Sequence, residues 1–570
     1  MAGSSTHRLL MIVTLTAIGL LLSACAQPSP ATPPGVSPGS AAVPQGGVFR
    51  INLGAEPDTI DPNRSNFATS IAVASLVFEG LLGYDKDLQL VPAVAKEVPT
   101  AANGGISSDG KTYTFRLRSD VKWSDGQPLK AKDFVYAIKR SLDPKLAAPY
   151  ASSLYDIQGA EAYNAALGTK AAPKEASDTQ LAALREAVGV STSDDTTVVI
   201  KLAAPRPSFL QLIALWVAWP VREDIVAKYG DRWTEPPNYI GNGPFVLTVW
   251  VHNERLEFAP NANYPGTKPN VEKLVMVQIA DANQAYLAYV NGELEATAVP
   301  DANVKLVQAD QTLSQQTIRY NELVIFGYQF NVKAPPFDSA KVRQALAMAV
   351  DRSALIEKVA QGIGKVAYSL VPPGMPGHDP SMGKDFDFNP GKAKQLLAEA
   401  GYGDVSKLPK ITFTFADTSP NRLRAEFFQG QMKQNLGIDV TVEALDSKTY
   451  QQRFNASQFM MVFGGWGADY PDPDNFVPEL FKTGSGNNHL SYSNPQVDTQ
   501  AKLCQSDTDE KKRLAACAEA QKLVVADEPW IFLFYRERFW MLKPYVKGFQ
   551  VTAKDNLPGN RFYNQVYIQK

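Results

Sequence analysis

The chain has 570 residues, which is too long for one compact hydrophobic core and predicts two or three domains. Lys and Arg number 56 against 58 Asp and Glu, so the formal charge is −2, and no block of like charge stands out. Nucleic acid and acidic lipid surfaces are therefore poor candidates for partners. Beyond the N-terminus, no apolar run is long and uncharged enough to cross a bilayer.

The N-terminus has the layout of a bacterial secretory signal. An apolar stretch begins at Leu9 and ends in small residues directly before Cys25. This ending resembles a lipobox, in which the cysteine thiol takes a diacylglycerol and becomes the first mature residue. We predict that residues 1–24 are removed and that Cys25 is lipidated. The alternative is an ordinary secretory signal with an incidental cysteine.

A linker is predicted over residues 25–45. After Cys25 the sequence is almost entirely Ala, Pro, Ser, Gly, Thr and Val, with no charged or aromatic residue. Such a stretch cannot bury enough apolar surface to offset its ordering entropy, so we expect a flexible connection. Folded sequence is predicted from about Gly46.

Strands and helices then alternate along the chain. Residues 113–117 and 198–202 alternate apolar and polar side chains, which predicts half-buried strands. Residues 133–142 have the helical spacing of apolar side chains and stop before a proline. Residues 342–350 and 392–400 show similar helical patterns.

One later segment predicts a complete parallel unit. Residues 411–415 form a predicted strand, residues 421–435 a helix that Gly437 ends, and residues 438–442 the next strand. Short links between them imply a parallel, right-handed crossover. The sequence is therefore mixed α/β in more than one domain, without a repeat of fixed period.

Two further cysteines, Cys504 and Cys517, lie on either side of a polar turn between two helical patterns. Facing helices of a hairpin can bring such positions together, so we predict a disulfide in an oxidising compartment. Closing a loop of this size stabilises the fold by about 3 kcal/mol in the chain-entropy model. Two buried free thiols are the alternative.

No catalytic or metal-binding motif is recognisable. The four histidines, His7, His252, His378 and His489, are far apart and form no zinc motif. A nucleophile elbow and a phosphate-binding loop are also missing from the sequence. A paired-carboxylate glycosidase stays open, because such carboxylates meet only in the fold. We predict a binding protein without enzymatic activity, cofactor or metal.

Several motifs together resemble one family. They include Ser108-Asp109-Gly110-Lys111-Thr112-Tyr113-Thr114-Phe115-Arg116-Leu117, Val121-Lys122-Trp123-Ser124-Asp125-Gly126-Gln127-Pro128-Leu129, Ile240-Gly241-Asn242-Gly243-Pro244-Phe245 and Leu396-Leu397-Ala398-Glu399-Ala400-Gly401-Tyr402. The pattern resembles family 5 of the bacterial extracellular solute-binding proteins, which serve peptide and nickel ABC importers. The resemblance covers residues 46–570 and is strongest to the oligopeptide-binding branch.

The resemblance implies an α/β, two-lobed fold like that of periplasmic binding proteins (type II, cluster C), with mixed sheets, an extra domain and a hinge between the lobes. It implies a discontinuous first domain from residues 46–85, 221–320 and 537–570. A second domain covers residues 86–220 and a third covers residues 321–536. Closure of the lobes on a ligand would bury it and couple ligand binding to recognition by a permease.

The resemblance also implies a ligand site. The run at residues 459–463 reads as a buried strand ended by two glycines, with Trp466, Gly467 and Asp469 following at its carboxyl end, where ligands bind in α/β sheets. Asp469 is the implied partner of a peptide's N-terminal amine, or alternatively a turn or ion-pair residue. Trp466 walls a side-chain pocket or belongs to the core.

Two more ligand contacts are expected outside this segment. Tyr150 matches a ligand-contacting tyrosine of the family, and Asn488 follows a Gly-rich loop that can face the cleft.

Other positions depart from the family pattern. Phe463 and Phe454 stand where relatives have arginines, Ser447 where they have a tryptophan, and Ala298 with Val299 where they have a Tyr-Asn pair. The amine partner is kept, whereas the residues that meet a short peptide's carboxylate are missing. We therefore expect longer or less polar peptides, or an amine-bearing ligand that is not a peptide.

The function implied is that of a monomeric, lipid-anchored substrate-binding protein outside the cytoplasmic membrane. It would capture oligopeptides and deliver them to ABC permease subunits that work with a cytoplasmic ATPase, with no nucleic acid partner. One alternative is the same role with a nickel chelate, an opine or a sugar. Others are an extracellular hydrolase, or a sensor or chaperone that serves a different receptor.

Overall fold

A computed structural model describes residues 46–168 and 172–570. The predicted signal at 1–24, the lipidated Cys25 and the linker at 25–45 lie outside the described residues. Among the described helices, none combines the length and the apolar character that crossing a bilayer requires.

The strands of the described residues range from two to fourteen residues. In chain order they are β1 (Val48–Asn52), β2 (Leu82–Tyr84), β3 (Leu90–Pro92), β4 (Thr112–Arg116), β5 (Val190–Asp194), β6 (Thr197–Lys201), β7 (Phe245–Val251), β8 (Arg255–Pro260), β9 (Lys273–Val277), β10 (Ala296–Ala298), β11 (Thr317–Phe330), β12 (Lys365–Val366), β13 (Ile411–Ala416), β14 (Val440–Leu445), β15 (Met461–Gly467), β16 (Trp530–Leu542), β17 (Val546–Lys547) and β18 (Tyr567–Ile568).

The α-helices are interspersed with these strands. They are α1 (Ala68–Val77), α2 (Ala131–Ser141), α3 (Ala160–Asn164), α4 (Asp178–Ala187), α5 (Phe209–Leu212), α6 (Glu223–Tyr229), α7 (Ala282–Val290), α8 (Val304–Ala309), α9 (Ala340–Met348), α10 (Arg352–Lys358), α11 (Pro390–Glu399), α12 (Ser419–Leu436), α13 (Ser447–Asn455), α14 (Val477–Phe481), α15 (Pro495–Ser506) and α16 (Glu510–Asp527).

One mixed sheet organises most of the molecule. Its strands are hydrogen-bonded in the order β14-β13-β15-β11-β16-β10-β1-β9-β8-β7, and β12 pairs with β16. The long antiparallel pair β11 and β16 lies in the middle, with a register shift between Asn321 and Ile325. Two of the predicted domain boundaries, 320/321 and 536/537, fall inside these two strands. The division into three domains stays a prediction.

A separate three-stranded antiparallel sheet, in the order β4-β6-β5, lies within residues 112–201. β4 and β6 confirm the two strands predicted from alternation. Helix α2 confirms the predicted helix, although it begins at Ala131. Its start is held by Asp133, whose carboxylate accepts the backbone N–H of Lys130 at 2.9 Å and the indole N–H of Trp123 at 3.3 Å.

The predicted strand–helix–strand unit is also confirmed. β13 and β14 are parallel, with Ile411 opposite Val440, and α12 connects them. Gly437 ends the helix in the left-handed region at φ +76, which favours glycine. The helix begins two residues earlier than predicted because the Thr418 side chain accepts the backbone N–H of Asn421 at 3.4 Å.

The prediction that two glycines end the strand at 459–463 is wrong. β15 continues through Gly464 and Gly465 to Gly467, and pairs antiparallel with β11 so that Trp466 lies opposite Ile325. A Cβ atom on Gly465 would approach the Ile325 carbonyl oxygen to 2.5 Å. Because these glycines have no Cβ atom, β11 can pack closely against β15, and the strand continues through them.

Helices α15 and α16 form the hairpin that bears the two cysteines. The Sγ atoms of Cys504 and Cys517 are 2.01 Å apart, and both side chains are buried. We expect the purified, non-reduced protein to show neither thiol after unfolding in a thiol-counting assay, since a disulfide consumes both. Detection of two reactive thiols would contradict the bridge, and a reduced, unfolded sample is the control.

Candidate functional site

Asp469 lies two residues beyond the end of β15 and is half-buried. Its carboxylate accepts a hydrogen bond from the Tyr150 hydroxyl at 3.2 Å, and the Asn475 side-chain amide lies 3.4 Å from its other oxygen. In the described part of the chain, no basic nitrogen comes within the 4.0 Å of an ion pair with it. The carboxylate is therefore positioned by neutral groups and remains available to a cation.

Tyr150 reaches Asp469 from a segment 319 residues away. The chain holds it just before a short 3-10 helix, and its ring packs on Trp216 with the ring centroids 4.8 Å apart. The negative charge of Asp469, together with burial, raises the pKa of Tyr150 well above its ordinary value. Tyr150 therefore stays protonated and acts as a hydrogen-bond donor.

Trp466 is half-buried, and its indole N–H donates to the Asn475 side-chain oxygen at 3.3 Å. The same oxygen accepts the Asp469 backbone N–H at 2.8 Å. Asn475 is itself buried, so it fixes Trp466 and Asp469 relative to each other. The structure thus brings together Tyr150, Trp466 and Asp469, and their contact with a ligand stays a prediction.

A cavity of about 590 Å³ opens beside these residues, and we call it the Asp469 cavity. Its walls include Tyr150, Trp466, Asp469, Glu479 and Asn487. A volume of this size accommodates a small ligand or several peptide residues.

A smaller cavity of about 190 Å³ adjoins Tyr150 and Asp469 and includes Gly467 and Lys554 in its walls. We call it the Lys554 cavity. Gly467 is exposed there, as its predicted place in the site requires.

A third cavity of about 490 Å³ shares Trp466 and Asn487 with the Asp469 cavity. Several large aromatic side chains line it, so we call it the aromatic cavity. The aromatic residues lining it are Phe326, Tyr450, Phe454, Phe463, Trp466 and Trp530.

Burial sets the charge states beside the site. It raises the pKa of Asp469 to about 6, although the positive charge of Lys554 partly offsets this effect. Burial also lowers the pKa of Lys554 to about 7, and the nearby charge of Arg561 adds to the decrease. Near neutral pH the site therefore has an ionised Asp469 that is incompletely compensated by a cation.

A buried ion pair lies beside the Asp469 cavity. Arg206 contacts Asp474 at 3.1 Å, and the Ser208 hydroxyl donates to the same carboxylate at 2.6 Å. The side chains of Arg206 and Asp474 are 10% and 0% exposed. The pair joins residues 206–208 to the segment just after Asp469, so it supports the geometry of the site.

The acidic run after Asp469 does not form a cation site. Asp474 pairs with Arg206, and Asp472 makes a two-armed ion pair with Arg513 at 2.8 Å for each arm. Among the described residues, no group of His, Cys, Asp and Glu could hold a metal ion.

Asn488 lies in the expected loop, but its side chain holds the loop together through hydrogen bonds to the backbone, a role that we call a brace. Its amide donates to the backbone carbonyls of Lys482 and Tyr492 at 3.2 and 2.8 Å, and its oxygen accepts the Tyr492 N–H at 3.1 Å. Asn487 is the residue of this pair that lines both larger cavities. The proposed ligand contact therefore moves by one position, a shift that the loop sequence alone does not reveal.

The positions at which the sequence departs from the family pattern lie in different parts of the structure. Phe463 and Phe454 line the aromatic cavity. Ala298 and Val299 lie at the end of β10, outside the walls of the three cavities. The side chain of Ser447 is outside the described part of the structure.

Sequence reasoning missed Asn475, Lys554 and Arg206. Arg206 and Lys554 meet the site from segments far from Asp469 in the chain, so no local pattern marks them. Asn475 was detectable in principle, because it ends the polar run that begins at Asp469.

Comparison with known proteins decides the family. The model for "Bacterial extracellular solute-binding proteins, family 5 Middle" matches residues 89–488. The chain belongs to this family. The resemblance drawn from the motifs is thereby confirmed, and members of the family are solute-binding proteins rather than enzymes.

Three relatives illustrate the range within family 5. The chain is 32% identical to the dipeptide-binding protein DppE of Bacillus subtilis, over 88% of this chain and 89% of that protein. It is 32% identical to the probable deoxycholate-binding periplasmic protein YgiS of Escherichia coli, over 88% and 90%. The structure of Haemophilus influenzae OppA in complex with RPPGFSPFR matches with a TM-score of 0.74 and 28% identity, covering 93% of this chain and all of that one. The predicted fold class is confirmed by this structural match.

Proposed function

We propose that this family 5 protein is the lipid-anchored substrate-binding component of an ABC importer and captures oligopeptides outside the cytoplasmic membrane. Its lobes close on the peptide, and the loaded form delivers it to permease subunits that are driven by a cytoplasmic ATPase. The protein acts as a monomer, held to the membrane only through Cys25.

The observation that supports peptide capture is the half-buried carboxylate of Asp469. It has a donor in Tyr150, no basic nitrogen at ion-pair distance among the described residues, and a cavity of about 590 Å³ beside it. An ammonium group that enters this cavity would gain a charge-assisted hydrogen bond. The N-terminus of a peptide supplies such a group, with the rest of the peptide extending along the cavity walls.

The relatives support the same substrate class, since one is named for dipeptides and another was solved with RPPGFSPFR. A second candidate is an apolar carboxylate without an amine. The aromatic cavity and the relative named for deoxycholate favour it. Binding of deoxycholate in place of peptides would select this candidate.

The test is capture from synthetic libraries of random peptides, from dipeptides to decapeptides. Peptides retained by the purified protein are identified by native mass spectrometry, with deoxycholate as a separate probe. We expect retention of peptides with a free N-terminal amine and no hydrolysis of them. Failure to retain any peptide would contradict the proposal.

The lipid anchor is tested separately through Cys25→Ser in the full-length chain. We expect the unaltered chain to fractionate with membranes and the variant to be released. Membrane retention of the variant would contradict anchoring through this cysteine.

Peptide affinity should fall as the pH falls through about 6. The pKa of Asp469 is raised to about 6, so protonation removes the charge that attracts the ligand ammonium at a higher pH than for an exposed aspartate. Calorimetric affinities between about pH 7 and pH 5 measure the effect, because the α-amine of the peptide stays protonated over this range. The N-acetylated peptide is the control and should show a much flatter profile; parallel profiles for the two peptides would contradict the assignment.

A further inference from the structure

The aromatic cavity contains a cation that lacks an acidic partner. Arg424, on helix α12, is half-buried and lines this cavity. The centre of its guanidinium lies 5.0 Å from the ring centroid of Phe463 and 5.8 Å from that of Phe534. Across residues 46–168 and 172–570, no carboxylate approaches Arg424 within the 4.0 Å of an ion pair.

The neighbours of Arg424 hold it without neutralising it. One nitrogen donates to the Asn421 side-chain oxygen at 2.9 Å, and the aromatic faces attract the cation. A guanidinium has five N–H donors, so its surroundings leave capacity for an anion. Burial lowers the pKa of Arg424, and the charge of Asp301 only partly opposes this effect.

The packing of Phe463 explains how the cation is presented. Its ring stacks on Phe326 at 5.5 Å between centroids and 7° between planes, while Arg424 covers it at 5.0 Å. A planar guanidinium that is held by aromatic faces is pre-organised to receive a carboxylate with two parallel hydrogen bonds.

The position of Arg424 relative to Asp469 favours a ligand that has a positive charge at one end and a negative charge at the other. The aromatic cavity and the Asp469 cavity share Trp466 and Asn487. Phe463, beneath the guanidinium, and Gly467, near Asp469, are four residues apart on β15, which corresponds to about 13 Å along a strand. A ligand that spans both cavities would meet a carboxylate at one end and a cation at the other.

We propose that Arg424 is the carboxylate-recognising residue of this protein, and that the aromatic cavity takes the anionic, otherwise apolar end of the bound peptide. This inference rests on the proposed function. The anion is either the C-terminal carboxylate or the side chain of an acidic residue among hydrophobic neighbours, since both present the same group. It replaces the expectation, drawn from Phe463 and Phe454, that carboxylate recognition is missing.

The test uses Arg424→Gln, with Arg422→Gln as a matched control. Arg422 lies on the same helix, is exposed and pairs with Asp417 at 2.6 Å. A hydrophobic peptide retained from the libraries is synthesised in three forms: the free acid, the C-terminal amide, and the amide with one internal glutamate. Affinities of all three are measured by calorimetry for the wild type and both variants.

We expect the wild type to bind one anionic form about 10- to 100-fold more tightly than the neutral amide, as for a hydrogen bond to a charged group. The preferred form identifies the source of the carboxylate. Arg424→Gln should remove the preference and leave the affinity for the neutral amide nearly unchanged, which also shows that the variant is folded. Arg422→Gln should retain the preference.

A preference that survives in Arg424→Gln, or a wild type that binds all three forms alike, would overturn this inference and leave the proposed function intact. A wild type that retains no peptide from any library would overturn both. Should Arg424→Gln fail to fold, Arg424→Met takes its place, because methionine keeps an unbranched side chain against the aromatic rings and carries no charge. A preference for the anionic form that survives in that variant overturns the proposal.

Discussion

Replacing Asp469 with asparagine should weaken binding of peptides with a free N-terminus by about 10- to 100-fold. The substitution keeps the shape of the side chain and can still accept from the Tyr150 hydroxyl, but it removes the charge that a ligand ammonium requires. A hydrogen bond to a charged group contributes about 1.5–3 kcal/mol, which sets this range. Calorimetric titration with a retained peptide measures it.

The N-acetylated form of the same peptide is the control for Asp469→Asn. Acetylation removes the ammonium, so it should weaken binding to the wild type strongly and binding to the variant very little. Tyr150→Phe offers a second comparison, because it removes the donor and keeps the charge, and its effect should be smaller. Equal losses on acetylation in the wild type and in Asp469→Asn would show that the amine lies elsewhere.

Replacing Arg206 with methionine should lower the free energy of unfolding by about 3–5 kcal/mol at pH 8, as is typical when one partner of a buried ion pair is removed. Asp474, which is fully buried, would then keep its charge with only hydroxyl partners. Burial already raises the pKa of Asp474 to about 6, even with Arg206 beside it. Near pH 5 the variant should therefore lose less stability, because Asp474 is then protonated. Denaturant unfolding at both pH values measures the difference.

The double variant, Arg206→Met with Asp474→Leu, is the matched control. Removing both charges leaves no uncompensated buried group, since Asp156, the other carboxylate near Arg206, is partly exposed, so most of the lost stability should return. If Arg206→Met lowers the free energy of unfolding by no more than about 1 kcal/mol, the ion pair contributes no more than a typical surface pair. That result would contradict its role in supporting the site.

Strands and helices were predictable from the sequence where neighbouring residues carry the pattern that defines them. The alternation of residues 113–117 gave β4, and the unit from β13 to β14 was marked by its two strands and by Gly437. The sequence pattern predicts too early an end for β15, because glycine usually breaks a strand. Here the close approach of β11, a contact between distant segments, is what requires Gly465.

The residues of the candidate site also divide into those that a motif marks and those that only contacts between distant segments bring to the site. Asp469, Trp466 and Tyr150 were expected from motifs shared with the family, and the structure brings them together. Lys554 and Arg206 had no such signal, because their importance arises from burial beside residues far along the chain. Asn487 and Asn488 are adjacent, and only the hydrogen bonds of the folded loop distinguish the wall residue from the brace.

The central strand pair has a mechanical consequence. The backbone of residues 331–529, which include Asp469 and Arg424, continues into the rest of the chain through β11 and β16, whereas Tyr150 lies outside this segment. We expect that a movement separating Tyr150 from Asp469 changes the twist of these two hydrogen-bonded strands. The register shift between Asn321 and Ile325 interrupts the hydrogen bonding between the two strands, and we expect backbone amides there to exchange early with solvent deuterium when the protein opens.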